Sequence, residues 1–413
     1  MNNKAYIVES ILDADFYKFT MGNLIFQNYP DIEVIYSLIS RAEDIHLAEH
    51  ISEDDLRQEL DHIREIRINN TELHYLRGTN EYGDRMFGEA YLDFLRNLRL
   101  PPYHLEKVGS DYRLEFPGRW SEAIYWETLA LSIITELYAR SLMQKKSQFD
   151  QDCAYADGRL RLAEKIRLLK SRRDITITDF GTRRRFSRDW QDYLTRVLSE
   201  ELPEQFLGTS NACLAMKYGL LPMGTSAHEM FMVMSCIMDE SDESIRASHN
   251  RVMQEWWKVY GWGLSIALTD TYGIDFFFRD MTYEQAMNWK GLRHDSGDPI
   301  EFGEKAIKFY MEKGIDPKTK LLIFSDGLDI QNIFKIADHF KNRVKVTFGW
   351  GTNLTNDLGL RALPIVIKVS KANGHYAAKL TDNLAKATGR PEDIERFKRI
   401  FSYTDSAFEH VKY

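Results

Sequence analysis

A chain of 413 residues can bury a large core and divides naturally into two or more structural units. Its composition, 44% hydrophobic, 13% aromatic and 28% charged, excludes a disordered or fibrous protein. A formal charge of -8 at pH 7 argues against general attraction to nucleic acid or anionic membranes, so any anion site has to be built locally.

Glu9, Asp13, Asp15 and Lys18 interrupt the region where an export signal would need an apolar run. Residues Leu12 to Phe26 open with Asp13 and Asp15 as acidic caps and predict an amphipathic helix carrying Tyr17 and Lys18. Glu33 to Ser40 alternates, with Val34, Tyr36 and Leu38 on one face, and predicts a strand. The charged segment Glu43 to Arg67 reads as a solvated helix. From Asp84 to Leu98 the apolar residues fall at helical spacing, and His104 to Phe116 reads as a hairpin turning at Gly109, Ser110 and Asp111. These elements form an N-terminal α+β unit, placed at 1–120 and expected to be completed by 365–413. Helical segments Trp120 to Arg140 and Gln148 to Lys170 form the seam to a second unit, which ends at 364.

After Arg173 short β-rich runs recur, each followed by polar residues and a helical segment. The runs are Ile175 to Asp179, Gln205 to Gly208, Gly219 to Met223, Leu264 to Leu268, Trp289 to Leu292, Leu321 to Phe324 and Lys345 to Phe348. Alternating strands and helices imply parallel βα units. Polar clusters at the carboxyl ends of all the strands predict a barrel with one composite site at that face. Any single cluster has a plainer reading as helix caps. After Pro364, Ile365 to Val369, Asn373-Gly374 and His375 to Leu380 predict a hairpin that packs back on the first unit.

The stretch Leu221 to Met230 holds His228 at the mouth of a helix. Ser226 and Glu229 have the S-x-x-E spacing of a capping box, which makes Ser226 the expected N-cap. Free amides and the positive end of the helix dipole then disfavour imidazolium and leave a neutral, nucleophilic ring that could carry a phosphoryl group. The plainer reading is a capped helix whose histidine fills space. The run Met230 to Met238 is too short to span a bilayer and reads as a buried helix.

Arg183, Arg184, Arg185 and Arg188 follow Asp179 and Phe180, and arginine grips carboxylate or phosphate bidentately. Gly349-Trp350-Gly351-Thr352-Asn353 has the glycines of a phosphate cradle. Arg293, Asp295, Ser296 and Asp298, with Asp326 and Asp329 on the next loop, combine an anion grip with acids able to orient ribose hydroxyls or hold magnesium through water. Salt-bridged loops are the plainer reading of each. Cys153, Cys213 and Cys236 are odd in number and lack a CxxC pair, which argues against a disulfide framework or structural zinc and fits a reducing cytoplasm.

The strings DADFYK (13–18), DFGTRRRFS (179–187), PMGTSAHE (222–229), GLRHDSGDP (291–299), IFSDGLD (323–329) and FGWGTNL (348–354) together resemble the nicotinate phosphoribosyltransferase family. The resemblance implies an irregular parallel α/β barrel of the type II phosphoribosyltransferase kind joined to an N-terminal α+β domain. It implies a homodimer with shared active sites; the expectation of a cytoplasmic protein bound to neither nucleic acid nor membrane rests on the cysteines, charge and apolar runs above. It further implies ATP-assisted, C–N bond-forming transfer from phosphoribosyl pyrophosphate to nicotinate in NAD salvage, with ADP and phosphate released through a phosphohistidine.

Carried over to this sequence, the resemblance makes His228 the phosphorylated residue. Tyr17, expected from a neighbouring subunit, and Phe180 face the pyridine ring, and Arg183, Thr225 and Arg293 bind nicotinate. Asp295, Asp326, Gly351 and Thr352 bind phosphoribosyl pyrophosphate, Asp15, Lys18 and Ser210 support the site, and magnesium arrives with the substrate pyrophosphate, its protein ligands unassigned. A nicotinamide-using relative is the nearest alternative; it carries an acid after the Gly-Thr where this chain has Ser210, and an acid would repel a carboxylate. A nucleic-acid binder using Lys170 to Arg188 is opposed by the acidic charge, and a phosphate-binding aldolase or isomerase barrel shares the strand-end pattern.

Overall fold

The computed structural model describes residues 6–42 and 44–404, and two sheets organise them. The alternation in Glu33–Ser40 produces a central strand: it pairs antiparallel with Asp111–Arg119 on one side and Ile365–Ala372 on the other. His104–Val108 and His375–Tyr376 complete this five-stranded antiparallel sheet, so the sequence-remote final hairpin does return to the first unit.

The helices differ from their sequence patterns where tertiary partners intervene. The first runs Tyr17–Asn28, and its N-cap, Phe16, makes no side-chain cap. Asp13 and Asp15 are not caps; Asp13 binds Arg185 and Asn211, and Asp15 accepts from Ser210. Tyr17 to Ile25 are buried on every face, so the expected amphipathic helix is instead a core helix. Glu43 lies outside the described residues. The segment that follows it gives a short turn, Leu47–Glu49, and a helix, Glu53–Glu65, capped by Ser52. The expected helix from Asp84 starts only at Glu89, because Asp84–Arg85 pairs with Asn80–Glu81 as a small ribbon. Gln148–Lys170 is helical as expected, with Ser147 as its cap.

Seven parallel strands form the second sheet, in the order Leu221–Pro222, Phe206–Thr209, Ile177–Asp179, Lys345–Trp350, Leu321–Phe324, Gly291–His294 and Ile266–Leu268. The sheet curls into a half-barrel. Its two edges approach through their following loops, where His228, beyond one edge, meets Thr271, beyond the other, at 3.0 Å. The His228–Ile237 helix, buried from His228 to Cys236, packs on the Ile365–Ala372 strand and joins the half-barrel to the antiparallel sheet. This is the Met-rich run, and it is core. Among the described residues no helix is long and apolar enough to cross a membrane. Cys153, Cys213 and Cys236 are free thiols.

Candidate active site

Six of the seven parallel strands end toward one pocket, and the loop after the seventh, Ile266–Leu268, brings Thr271 and Asp270 to His228. The Ile177–Asp179 strand delivers Phe180, Gly181, Arg183 and Arg184; Phe206–Thr209 delivers Ser210; and Leu221–Pro222 delivers Met223, Gly224, Ala227 and His228. Gly291–His294 contributes Arg293 and Asp295, Leu321–Phe324 contributes Ser325 and Asp326, and Lys345–Trp350 leads to Gly351 and Thr352. The opposite wall comes from the other unit, with Asp15, Tyr17, Arg41, Lys368, Lys379 and Lys386, and from the seam helix Trp126–Gln144, with Glu127.

His228 is the first residue of its helix, so the first-turn setting holds, but the capping box does not form. The N-cap is Ala227, without a side-chain bond. Glu229 cannot reach back because its carboxylate is taken by Tyr36, Trp120 and Lys18. The His228 ring is 4% exposed, with Nδ1 3.0 Å from the Thr271 hydroxyl and Nε2 3.0 Å from Asp295 and 3.7 Å from Asp270. Burial pulls its pKa down to about 4, aided by Lys379 and opposed by Asp270 and Asp295. Asp295 is held well below the usual carboxylate range: burial works against its charge, but the His228 hydrogen bond and the charges of Arg293 and Lys386 outweigh it. The pair is therefore a neutral imidazole beside a carboxylate.

A second cluster surrounds Tyr17. Its hydroxyl donates to Glu127 at 3.5 Å, and the Arg183 guanidinium lies 5.8 Å from its ring. Arg183 sits 3.2 Å from Asp15 and 3.8 Å from Glu127. Tyr17 is expected from a second copy; within one chain it lines the same pocket as Phe180 and His228. Ser210 donates to Asp15 at 2.6 Å, so this wall does contain an acid, supplied by the N-terminal segment. Burial raises the pKa of Asp15, while Arg183 and Ser210 pull it down.

Arg293 donates to the Ser226 carbonyl at 3.1 Å and approaches Asp295 at 3.9 Å, while its buried Nε has no partner. Thr225 lies between the lining residues Gly224 and Ala227 without itself lining the pocket, and its carbonyl accepts from Thr20 at 2.7 Å. Lys18 lies one layer behind, fully buried between Glu127 at 2.6 Å and Glu229 at 2.5 Å. Asp326 pairs with Lys386. Arg185 and Arg188 leave the arginine cluster to bind Asp13 and Glu9. Asp298 and Asp329 are helix caps, so for these two the plainer reading wins.

Residue-by-residue reading gave no role to Glu127, Asp270, Arg41, Lys368, Lys379 or Lys386, all of which reach or border the site. Asp270 stood in a strand-end cluster and so carried a signal. The lysines sit in and after a hairpin whose sequence says only that it turns. His228, Asp270 and Asp295 bring ligand atoms within 4.8 Å of one another, with the buried Asp270 Oδ1 lacking a hydrogen-bond partner. The two carboxylates are the oxygen donors that a hard cation such as magnesium takes, whereas the imidazole nitrogen is not.

The chain's similarities to known proteins agree with this geometry. A family described as the nicotinate phosphoribosyltransferase (NAPRTase) family matches residues 175–405, and the NAPRTase N-terminal domain matches residues 12–135. The nicotinate phosphoribosyltransferase structure from Vibrio cholerae is 33% identical, covering 98% of this chain and 96% of that one, with a TM-score of 0.87. The structure from Porphyromonas gingivalis is 32% identical, covering 96% and 100%, with a TM-score of 0.85. A putative nicotinate phosphoribosyltransferase from Saccharomyces cerevisiae is 28% identical, covering 97% and 100%, with a TM-score of 0.85.

Proposed function

The chain belongs to the nicotinate phosphoribosyltransferase family, and on that premise we propose that it joins nicotinate to phosphoribosyl pyrophosphate, giving nicotinate mononucleotide and pyrophosphate in NAD salvage. ATP is split to ADP and phosphate through phosphorylation of His228. One observation carries this reading: a buried histidine whose pKa lies near 4, at a helix mouth and flanked by two carboxylates, in the pocket that also holds Tyr17, Phe180, Arg183 and Arg293.

Nicotinate lies between the Tyr17 and Phe180 rings, with its carboxylate met by Arg183 and Arg293. Its pyridine nitrogen already carries the attacking electron pair, so no general base is needed. The C–N bond forms at the anomeric carbon as the C–O bond to pyrophosphate breaks, and placement with electrostatic support of the leaving group does the catalysis. Gly351 and Thr352 hold the 5-phosphate, while Asp295 and Asp326 orient the ribose. The cations of Arg41, Lys379 and Lys386 face the phosphates. Magnesium, held by Asp295 and Asp270, would neutralise phosphate charge. Asp270 and Asp295 also stabilise the positive charge of a phosphorylated ring. The proposal includes a homodimer and a reducing, cytoplasmic setting, the latter supported by the free thiols.

The test is product formation from nicotinate and from nicotinamide, each with phosphoribosyl pyrophosphate, with ATP present or withheld. Nicotinate is expected to react, faster with ATP, and nicotinamide poorly; the reverse preference would overturn the substrate assignment. His228→Asn is expected to abolish ATP hydrolysis and leave some ATP-independent transfer. Unchanged, substrate-dependent ADP release in this variant would refute the phosphohistidine.

A further inference from the structure

We infer that Glu229, tied by Lys18, is a positioning residue that sets where His228 stands in the pocket. The inference rests on the reading of His228 as the phosphate acceptor. His228 and Glu229 are consecutive, yet their partners come from different parts of the molecule. The His228 ring is held by Thr271 and Asp295, from loops of the parallel half-barrel. Glu229 Oε1 accepts from the Tyr36 hydroxyl at 2.6 Å and the Trp120 indole at 2.8 Å, and Oε2 accepts from Lys18 at 2.5 Å. All three donors belong to the N-terminal elements.

The helix start has no side-chain cap of its own, since its N-cap is Ala227. The carboxylate on its second residue does the anchoring instead, from three directions. Glu229 is 3% exposed and Lys18 is 0% exposed, so these bonds are shielded from water and are strong, directional constraints. Lys18 also holds Glu127 at 2.6 Å, and Glu127 lines the pocket and binds Lys368 at 2.8 Å. One buried cation therefore references the histidine helix to the wall that carries Tyr17 and Glu127. A misplacement of about 1 Å at a reacting group can cost about a hundredfold in rate, which is the scale on which this tether acts.

Glu229→Gln in the full chain preserves side-chain shape and an oxygen acceptor while removing the charge that Lys18 holds. The expected result is a loss of about tenfold in the ratio of ATP-coupled to ATP-independent transfer, with a matching loss of acid-labile phosphate on His228. Tyr36→Phe removes a single bond to the same carboxylate and should shift the ratio in the same direction by a smaller factor, while the protein still melts cooperatively. Wild-type phosphate and an unchanged ratio in Glu229→Gln would overturn the inference alone, and so would a loss of ATP-independent transfer in equal proportion. Absence of acid-labile phosphate from the wild-type protein would overturn the reading of His228 on which the inference rests.

Discussion

At neutral pH the His228 imidazole carries no proton charge, because burial and Lys379 outweigh its two carboxylate neighbours. Its pKa falls from 6.5 to about 4 in the folded chain, so between these values the unfolded chain binds the proton that the folded chain refuses. The associated stability is full above pH 6.5, is lost as pH falls toward 4, and amounts to roughly 3 kcal/mol. Thermal melts of wild type and His228→Asn across this range should converge toward acid pH; parallel curves would contradict the assignment. Arg293 has a buried Nε without a partner and faces the pocket, which suits a bidentate carboxylate grip. Arg293→Ala is expected to raise the nicotinate KM by about tenfold or more, and that for phosphoribosyl pyrophosphate by less. Equal loss for both substrates in steady-state kinetics would refute the role.

Among the elements, the Lys345–Trp350 strand shows how a backbone choice shapes the pocket. Gly349 reads in sequence as part of a phosphate cradle, but it lies inside the strand, and a Cβ there would come within 2.3 Å of the Phe180 ring. Its missing side chain makes room for an aromatic ring that lines the pocket. On the facing loop Gly224 has φ +154, and a Cβ would lie 2.9 Å from the Tyr17 backbone nitrogen. Two glycines thus seat the two rings proposed to hold the pyridine. Gly349→Ala is expected to push Phe180 aside and raise the nicotinate KM by about tenfold, with a smaller effect on phosphoribosyl pyrophosphate. An unchanged nicotinate KM would show that the ring's position does not matter. The His228–Ile237 helix teaches a similar lesson, since its S-x-x-E pattern is real but Lys18, Tyr36 and Trp120 outcompete one backbone amide for Glu229.

For the molecule as a whole, the pocket lies where the half-barrel meets the antiparallel sheet, and one chain supplies both walls. Mixing Tyr17→Ala and His228→Ala chains, each lacking ATP-coupled transfer, under exchange conditions should therefore restore no ATP-coupled activity. Recovery approaching a quarter of the wild-type rate would mean that a partner supplies Tyr17, as arithmetic for randomly mixed shared sites requires. Periodicity and turn chemistry alone determined the strand at 33–40, the helix at 148–170, the strand rhythm after 173, and the convergence of strand-end residues on one face. Those are local signals, set by backbone geometry and the side chains within a few residues. Tertiary structure alone decided that Asp13 and Asp15 bind Arg185 and Ser210 rather than cap a helix, that the Thr225 carbonyl is taken by Thr20, and that lysines beyond 364 enter the pocket. These outcomes depend on partners tens to hundreds of residues away, and a buried charge takes the strongest complementary group that packing brings within reach, whatever its own stretch of sequence prefers.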